Sequence, residues 1–317
     1  MDLQFKNLLS ILIDNYYLKR FQKEEISMGY KNIHAYQEIE ISSIDEIYSI
    51  IEQYKKFHKI AHSATNRETS CLNVFYRGQS NSCWDITPSL LRSQIKESDL
   101  IKMFQPSQNL SLFGMIAYIQ HYHEKTRFID FTLNPDVALY FACSENYDKD
   151  GSFYIYPYVP HKAEWYTSIV LSELVQIPCA NEIAVQDFSC QILDRYPNFK
   201  NQFSSIESLN SAIMAFLDHG FMVLPDKDSY LNNPRLNAQK GCFYICGVKF
   251  TKNLDSTDRW ATRAGSNKFE PHSAIVPDNL KNGHELVKLI IPRTYKMEII
   301  KYLATKGVTS KSLLLST

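Results

Sequence analysis

The sequence predicts an α+β protein with a helical N-terminal region, and two observations support this fold class. Apolar residues recur at helical spacing in two long segments within the first 64 residues. From residue 72 onward, short strand-like runs and helix-like segments follow one another along the chain. This change in secondary-structure type suggests a boundary near residue 70, with a helical region over 1–70 and a second domain over 71–317.

Two amphipathic helices are predicted before that boundary. Residues 3–22 carry apolar side chains three and four positions apart, such as Leu9, Leu12 and Tyr16. Residues 43–64 repeat the pattern, and Ser43 with Glu46 three positions later is the signature of a capping box. No catalytic constellation is visible in this region.

Glycine, asparagine and proline residues mark the ends of several elements predicted after residue 72. A strand at 72–78 ends at a glycine, and Asn134-Pro135 predicts a helix start because Asn is a favoured N-cap and Pro suits the first helical position. Gly307 follows the last predicted helix, where a glycine commonly ends one. The other predicted elements are helices at 112–123, 163–176, 204–219 and 294–306, and strands at 126–131, 152–159, 221–224, 242–248 and 286–291.

Composition favours a protein of the reducing cytoplasm. The 317 residues suffice for one large domain or two modest ones, and 34 basic against 34 acidic residues leave no strongly basic footprint for nucleic acid. The seven cysteines cannot all pair with one another, and none of them forms the CxxC spacing of zinc or redox sites, which favours a reducing compartment. The apolar stretch 8–13 is too short for a signal peptide and is closed by Asp14. No run approaches the roughly 18 apolar residues of a membrane span.

Arg77 is the first candidate for chemistry. Strand alternation places it on the same face as Phe75, whereas Val74, Tyr76 and Gly78 share the opposite face. If Val74 and Tyr76 face the core, Arg77 faces a cleft, where its planar guanidinium suits a pyrophosphate or a carboxylate. Gly78 would let a ligand approach the backbone. The alternative is a structural arginine paired with a buried acid.

Asp130 is the natural partner for that arginine. It lies in an apolar run between Ile129 and Phe131, where a lone buried charge would be expensive. Its carboxylate could pair with Arg77 or Arg127, or could cap the turn at Asn134. A structural role and a catalytic role are compatible, because an active site also needs its charges held.

The histidines do not predict a metal site. His121 and His123 are two positions apart, so in a helix they point in different directions, and no further ligands stand at diagnostic spacing. We therefore expect no metal and consider His121 a substrate-contacting or hydrogen-bonding group. The sequence also lacks a P-loop, GxGxxG, GxSxG and HExxH.

Ordered motif blocks nevertheless form a recognisable set over roughly residues 72–315: Phe75-Tyr76-Arg77-Gly78-Gln79, Trp84, Pro88-Ser89-Leu90 with Arg92, Gln120-His121-Tyr122, Thr126-Arg127, Asp130-Phe131-Thr132, Asn134-Pro135, Ala138-Leu139-Tyr140-Phe141-Ala142, Arg235-Leu236, Gln239, Gly241 and Phe243. This set resembles the FRG domain, a bacterial family named for its Phe-Arg-Gly motif. One departure is His123-Glu124-Lys125, where the family usually has a Gly-containing turn.

The FRG domain in turn resembles a distant ADP-ribosyltransferase. That resemblance implies a mixed-sheet core, NAD as the substrate, and an aromatic-Arg-Gly strand whose arginine holds the pyrophosphate or ribose. Where the superfamily has a strand with Glu-x-Glu or Gln-x-Glu, this chain has Gln239-Lys240-Gly241. The implied catalytic residues are Arg77, Asp130 and Gln239, and the implied cofactor-binding residues are Tyr76, Arg77, Gly78, His121 and Thr132.

The resemblance therefore implies NAD-dependent ADP-ribosyl transfer by a bacterial toxin or phage-defence effector. The acceptor would be a nucleic acid or a protein, and an antitoxin or chaperone could be a partner. The carboxylate missing at Gln239 would come from Asp130, Glu270 or Glu285. One alternative is a non-catalytic module that binds NAD, a nucleotide or a partner and senses infection. Another is a nuclease or nucleic-acid-binding effector, against which the zero net charge weighs.

Overall fold

The structure is a computed structural model that describes residues 37–64, 73–92, 96–103, 110–123, 125–177, 182–251, 267–276 and 286–314. The predicted helix at 3–22 lies outside these residues. Within them, helices pack on an eight-stranded mixed sheet and a smaller three-stranded sheet, so the α+β class is confirmed. None of the helices in these ranges is long and apolar enough to cross a membrane.

The large sheet has the strand order β1-β11-β4-β2-β3-β8-β7-β5, and the small sheet has the order β6-β10-β9. The edge pairs β1–β11 and β5–β7 are parallel, and the other pairs are antiparallel. The strands are β1 (Gln37–Glu40), β2 (Asn73–Gln79), β3 (Phe128–Thr132), β4 (Gly151–Tyr158), β5 (His161–Lys162), β6 (Ile183–Ala184), β7 (Phe221–Leu224), β8 (Gly241–Ile245), β9 (Gly247–Phe250), β10 (Lys268–Ile275) and β11 (Val287–Ile291).

The predicted helices that fall within the described residues are present, and several begin or end at the expected signals, but the helices at 97–103, 185–195, 227–232 and 234–238 were not predicted. Asn134 caps one of them by accepting a hydrogen bond from the Asp136 amide, and Gly307 follows the last with a φ of +79°. The helices are α1 (Ile44–Ala64), α2 (Glu97–Met103), α3 (Leu112–His123), α4 (Pro135–Cys143), α5 (Tyr166–Glu173), α6 (Val185–Arg195), α7 (Ile206–His219), α8 (Lys227–Asn232), α9 (Pro234–Ala238) and α10 (Arg293–Thr305). Short 3₁₀ segments cover Ser89–Arg92, Leu174–Gln176 and Pro197–Asn201.

The sheets differ from the sequence-based expectation because β1, β5, β6 and β10 were not predicted and because one predicted strand is divided in two. The short strand β1 was not predicted, and it joins the region before residue 70 to the large sheet through β11. The predicted strand at 242–248 is two strands, β8 and β9, which belong to different sheets. Gly247 is the first residue of β9 and packs closely against α7. An added Cβ there would overlap the main-chain oxygen of Leu217. The boundary near residue 70 stays a prediction.

Both faces of the large sheet are buried. One face packs against α1, α4 and α10 and, further along the sheet, against α3, α5 and α7. The other face carries a mainly aromatic core, which includes Phe75, Phe131 and Tyr156 and is covered by side chains such as Ile86 and Leu90. Val74 and Tyr76 face the first core as predicted, but Phe75 is also fully buried, so its face is not an open cleft.

The middle of the sheet contains the feature that positions the candidate site. β2 pairs with β4 along its full length, and β3 pairs with β8 along its full length. The neighbouring strands β2 and β3, however, are joined by the single residue pair Tyr76–Thr132. Beyond this pair the two strands diverge, which leaves main-chain groups of β3 available to side chains.

Gly78 lies at this divergence and is required by packing. A Cβ at this position would overlap the main-chain oxygen of Ala138 and would lie 2.6 Å from the Ala142 nitrogen, both in α4. We expect Gly78→Ala to lower the free energy of unfolding by at least about 3 kcal/mol, because a helix backbone cannot move aside without disturbing the core. Urea denaturation would measure this change.

The matched control is Gly307→Ala. An added Cβ at Gly307 meets nothing within 4 Å, so only the left-handed backbone conformation opposes it, at a cost of about 1–2 kcal/mol. A Gly78→Ala protein as stable as the Gly307→Ala protein would show that α4 does not need the glycine.

Candidate functional site

Arg77 lies where β2 and β3 diverge, and its side chain is half-buried. Its Nη1 donates a 2.6 Å hydrogen bond to the main-chain oxygen of Asp130, which the strand ladder does not use. Its Nε is buried and has no partner within the described residues. The guanidinium is therefore anchored at one end and still has donors for a further acceptor.

The charges around Arg77 are of both signs. Burial lowers the pKa of Arg77, the nearby Asp130 carboxylate raises it, and the positive charge of Arg92 lowers it again. A guanidinium keeps its proton in proteins even when its pKa falls. Arg77 is therefore a cation held at the mouth of the strand divergence, as a phosphate-binding group would be.

Asp130 presents its carboxylate on the α3 side of the sheet. Oδ2 accepts a 2.8 Å hydrogen bond from Gln120 Nε2 in α3, and Oδ1 is buried without a partner among the residues that the structure describes. None of the three predicted pairings of this carboxylate is observed in that part of the chain. Arg77 bonds the main-chain oxygen instead, Arg127 faces elsewhere, and the Asn134 amide donates to the Thr132 hydroxyl.

Arg127 is turned away from Asp130 because it forms a buried ion pair with Glu97. Its Nη2 lies 2.6 Å from Glu97 Oε2, and its Nε and main-chain amide also donate to that carboxylate. A further bond from Nη2 reaches the Pro271 oxygen at 2.7 Å. Arg127 therefore connects α2, β3 and β10, and its role is structural.

His121 lies beside Asp130 and is a neutral group at physiological pH. Its ring is buried, meets Phe243 edge-on at 5.6 Å between centroids, and leaves Nε2 without a partner in the described ranges. Burial lowers the pKa of His121 to about 4, opposed by the Asp130 charge and assisted by that of Arg235. Arg235 also fixes the end of α3 by donating to the His121 main-chain oxygen at 2.6 Å. Nε2 of the neutral imidazole can therefore donate one hydrogen bond to a ligand or accept one from it, depending on the tautomer.

The other predicted site residues have packing roles. Tyr76 is buried in the core and stacks on Phe153, with ring centroids 5.7 Å apart. The Thr132 hydroxyl donates to the Gln239 main-chain oxygen at 2.7 Å, and the Gln239 amide donates to the Leu313 oxygen at 3.2 Å. The amide of Gln239 is thus used by the C-terminal segment. Asp130 and His121 lie on the α3 side of the sheet, whereas Arg77 projects from the aromatic face and reaches the main-chain oxygen of Asp130 at the strand divergence.

Three further residues of this neighbourhood were not given roles by sequence reasoning: Gln120, Arg92 and Arg235. All three belong to the motif blocks that resemble the FRG domain, and this membership was the signal that could have identified them. Their roles depend on contacts between distant segments, such as the bond from Gln120 to Asp130, that spacing along the chain does not reveal.

The two alternative carboxylates are placed differently from Asp130. Glu270 lies in the small sheet and forms an exposed ion pair with Lys249 at 2.6 Å, and Glu285 lies outside the described residues. Across the described part of the chain, no group of three or more His, Cys, Asp or Glu residues could hold a metal ion.

Comparison with known proteins gives one family match, which covers part of the chain. No curated protein and no solved structure matches the chain significantly. The family model of the FRG domain matches residues 72–151. The resemblance to the FRG domain is therefore confirmed for the segment that contains Arg77, His121, Asp130 and Thr132.

Proposed function

We propose that the chain binds NAD at the divergence of β2 and β3 and transfers its ADP-ribose group to a nucleic acid or protein acceptor, as a bacterial toxin or phage-defence effector. The observation that carries the proposal is the Arg77 guanidinium, which is anchored to the Asp130 main chain and keeps further donors for an anion. A planar fork of this kind is well suited to the pyrophosphate of a dinucleotide. The fold would be an ADP-ribosyltransferase-like mixed sheet.

The chemistry of transfer assigns a role to Asp130. The bond between the nicotinamide nitrogen and the ribose breaks with its electron pair on nicotinamide, and the acceptor forms a new bond to the same ribose carbon while losing a proton. Positive charge develops on the ribose during this step, and a carboxylate aimed at it stabilises the transition state. Asp130 has a buried carboxylate oxygen without a partner among the described residues, whereas the Glu270 carboxylate is paired with Lys249 on the surface. We therefore propose Asp130 as the replacement for the missing glutamate.

A second function is favoured by one observation. By the resemblance, Gln239 takes the place of the transferase glutamate, and in the structure it follows the end of α9 and its amide donates to the Leu313 oxygen. A module that binds NAD or a nucleotide without turning it over needs no carboxylate at this position. In this alternative, Arg77 binds the same ligand, and the bound state is recognised by a partner protein of a defence system.

We expect Arg77→Ala to weaken NAD binding by about tenfold to a hundredfold, because hydrogen bonds to a charged group contribute roughly 1.5–3 kcal/mol. Calorimetry with NAD would measure the affinity, and a thermal melt would show whether the variant folds. Both the enzyme and the sensor predict this loss of affinity.

The control is Arg293→Ala, which removes an exposed guanidinium that donates to the Asp148 oxygen in another part of the surface. It should bind NAD like the unmodified chain. Equal affinity of all three proteins for NAD would remove Arg77 from the site. Failure of Arg77→Ala to fold would make Arg77 structural, and Arg77→Lys would then report on binding in a folded chain.

A further inference from the structure

A continuous set of hydrogen bonds leads from the loop after α3 to the Asp130 carboxylate. The Thr126 hydroxyl accepts from the Phe128 amide at 3.0 Å and donates to Gln120 Oε1 at 2.6 Å. Gln120 Nε2 then donates to Asp130 Oδ2 at 2.8 Å. Thr126 is itself held by Ser89, whose hydroxyl accepts from the Thr126 amide at 3.1 Å. Gln120 and Thr126 are both buried, and the bond between them is buried as well, whereas the bond from Gln120 to Asp130 is partly buried.

This arrangement permits only one orientation of the Gln120 amide. The Thr126 hydroxyl accepts from the Phe128 amide and donates its proton to the side-chain oxygen of Gln120, so both of its roles are used when that oxygen faces it. A flipped amide would place Oε1 against the carboxylate. An ionised carboxylate can accept hydrogen bonds but cannot donate them, so two acceptors would be in contact. The NH₂ group of Gln120 is therefore fixed toward Asp130.

The consequence is a fixed carboxylate. With Oδ2 held by Gln120, the Asp130 group cannot rotate without losing this bond, and Oδ1 is the oxygen without a partner in the described residues. Loss of the bond is costly because Gln120 is buried, and an unpaired polar group in the interior costs about 1–3 kcal/mol.

We propose that Gln120 is a positioning residue that orients Asp130 so that Oδ1, on the α3 side of the sheet with His121, faces the ribose of the bound dinucleotide. This inference rests on the proposed function, since it assigns Gln120 to the same site. Gln120 does not touch the reacting atoms in this account; it acts through Asp130. The ligand class is a nucleotide with free ribose hydroxyls, which a carboxylate and a neutral imidazole can bind together.

The direct test is Gln120→Leu, which keeps the side-chain size and removes the amide. We expect NAD affinity to stay within about threefold, because the pyrophosphate contact of Arg77 remains, while turnover falls by about tenfold to a hundredfold through misplacement of Asp130. In the double variant with Asp130→Asn, Gln120→Leu should cause no further loss. Effects that multiply would show that Gln120 acts independently of Asp130 and would overturn the proposal.

Thr126 supplies a matched pair of variants. Thr126→Ser keeps the hydroxyl that sets the amide orientation and should retain turnover, whereas Thr126→Val has the same shape without the hydroxyl and should resemble Gln120→Leu. Equal loss in both variants would indicate a packing defect and contradict the orienting role.

Crystal structures of the Gln120→Leu and unmodified proteins separate the failure of this inference from the failure of the proposed function. If the unmodified chain neither binds nor cleaves NAD, the function fails, but the Asp130 rotamer still tests the orienting role. A carboxylate that rotates in Gln120→Leu supports positioning by Gln120. An unchanged carboxylate overturns it.

Discussion

Glu97→Ala is expected to lower the free energy of unfolding by about 3–5 kcal/mol, as removal of one partner from a buried ion pair does. Its partner Arg127 has a side chain that is 0% exposed, and that of Glu97 is only 2% exposed. Without the carboxylate, the Arg127 guanidinium and main-chain amide lose three close contacts in an environment that water cannot reach. Urea denaturation followed by circular dichroism would give the change.

Glu270→Ala is the matched control, because Glu270 and Lys249 form an ion pair of the same 2.6 Å length with side chains 36% and 63% exposed. An exposed pair contributes about 0–1 kcal/mol, so this variant should be nearly as stable as the unmodified chain. Similar stability of the Glu97→Ala and Glu270→Ala proteins would contradict the structural role of Arg127.

Asp130→Asn is expected to reduce the release of nicotinamide from NAD by roughly a hundredfold or more, while NAD affinity changes little. Removal of one transition-state electrostatic contact typically costs about 10²–10³ in rate. The asparagine keeps the side-chain size, so the effect would isolate the charge. Single-turnover measurement of nicotinamide release, together with calorimetric binding, would separate rate from affinity.

Glu270→Gln serves as the control for this second change, since it removes a carboxylate from the small sheet and should leave the rate unchanged. A large loss of rate in Glu270→Gln with none in Asp130→Asn would assign the catalytic charge to Glu270. Absence of any turnover in the unmodified chain would favour the sensor.

Much of the fold was predictable because its elements carry strong local signals. α3 spans the predicted residues, and α4 begins at Asn134-Pro135, where the cap and the proline favour a helix whatever the tertiary context. The strand β7 also matches its prediction at both ends. Each of these signals lies within a few residues of the element that it specifies.

The parts that were not predicted depend on contacts between distant segments. β1 has only four residues, and its partner β11 lies about 250 positions later in the chain. The buried Lys296 has no sequence signal either. Its ammonium donates to the main-chain oxygens of Ser80, Glu145 and Asn146 at 2.6 to 3.0 Å, so three carbonyl groups replace a carboxylate partner.

In the candidate site, too, features set by the local sequence were predicted and features set by contacts between distant segments were not. Strand alternation placed Arg77 on the same face as Phe75, but that face is a buried aromatic core and not the expected cleft. The apolar context of Asp130 predicted that its carboxylate would have a partner. Alternation could not show that β2 and β3 diverge, which is why Arg77 bonds a main-chain oxygen and Gln120 holds the carboxylate. The choice of Glu97 as the partner of Arg127 also depends on how α2 packs.

Mass spectrometry of protein and RNA from cells that express the chain would decide whether Arg77 holds NAD in a site that transfers ADP-ribose, with Arg77→Ala and Arg293→Ala expressed in parallel. We expect an adduct with the mass of one ADP-ribose in one of the two pools, present with Arg293→Ala and absent with Arg77→Ala. An adduct that persists in Arg77→Ala, or a toxic unmodified chain that leaves both pools without any adduct, would overturn the proposal.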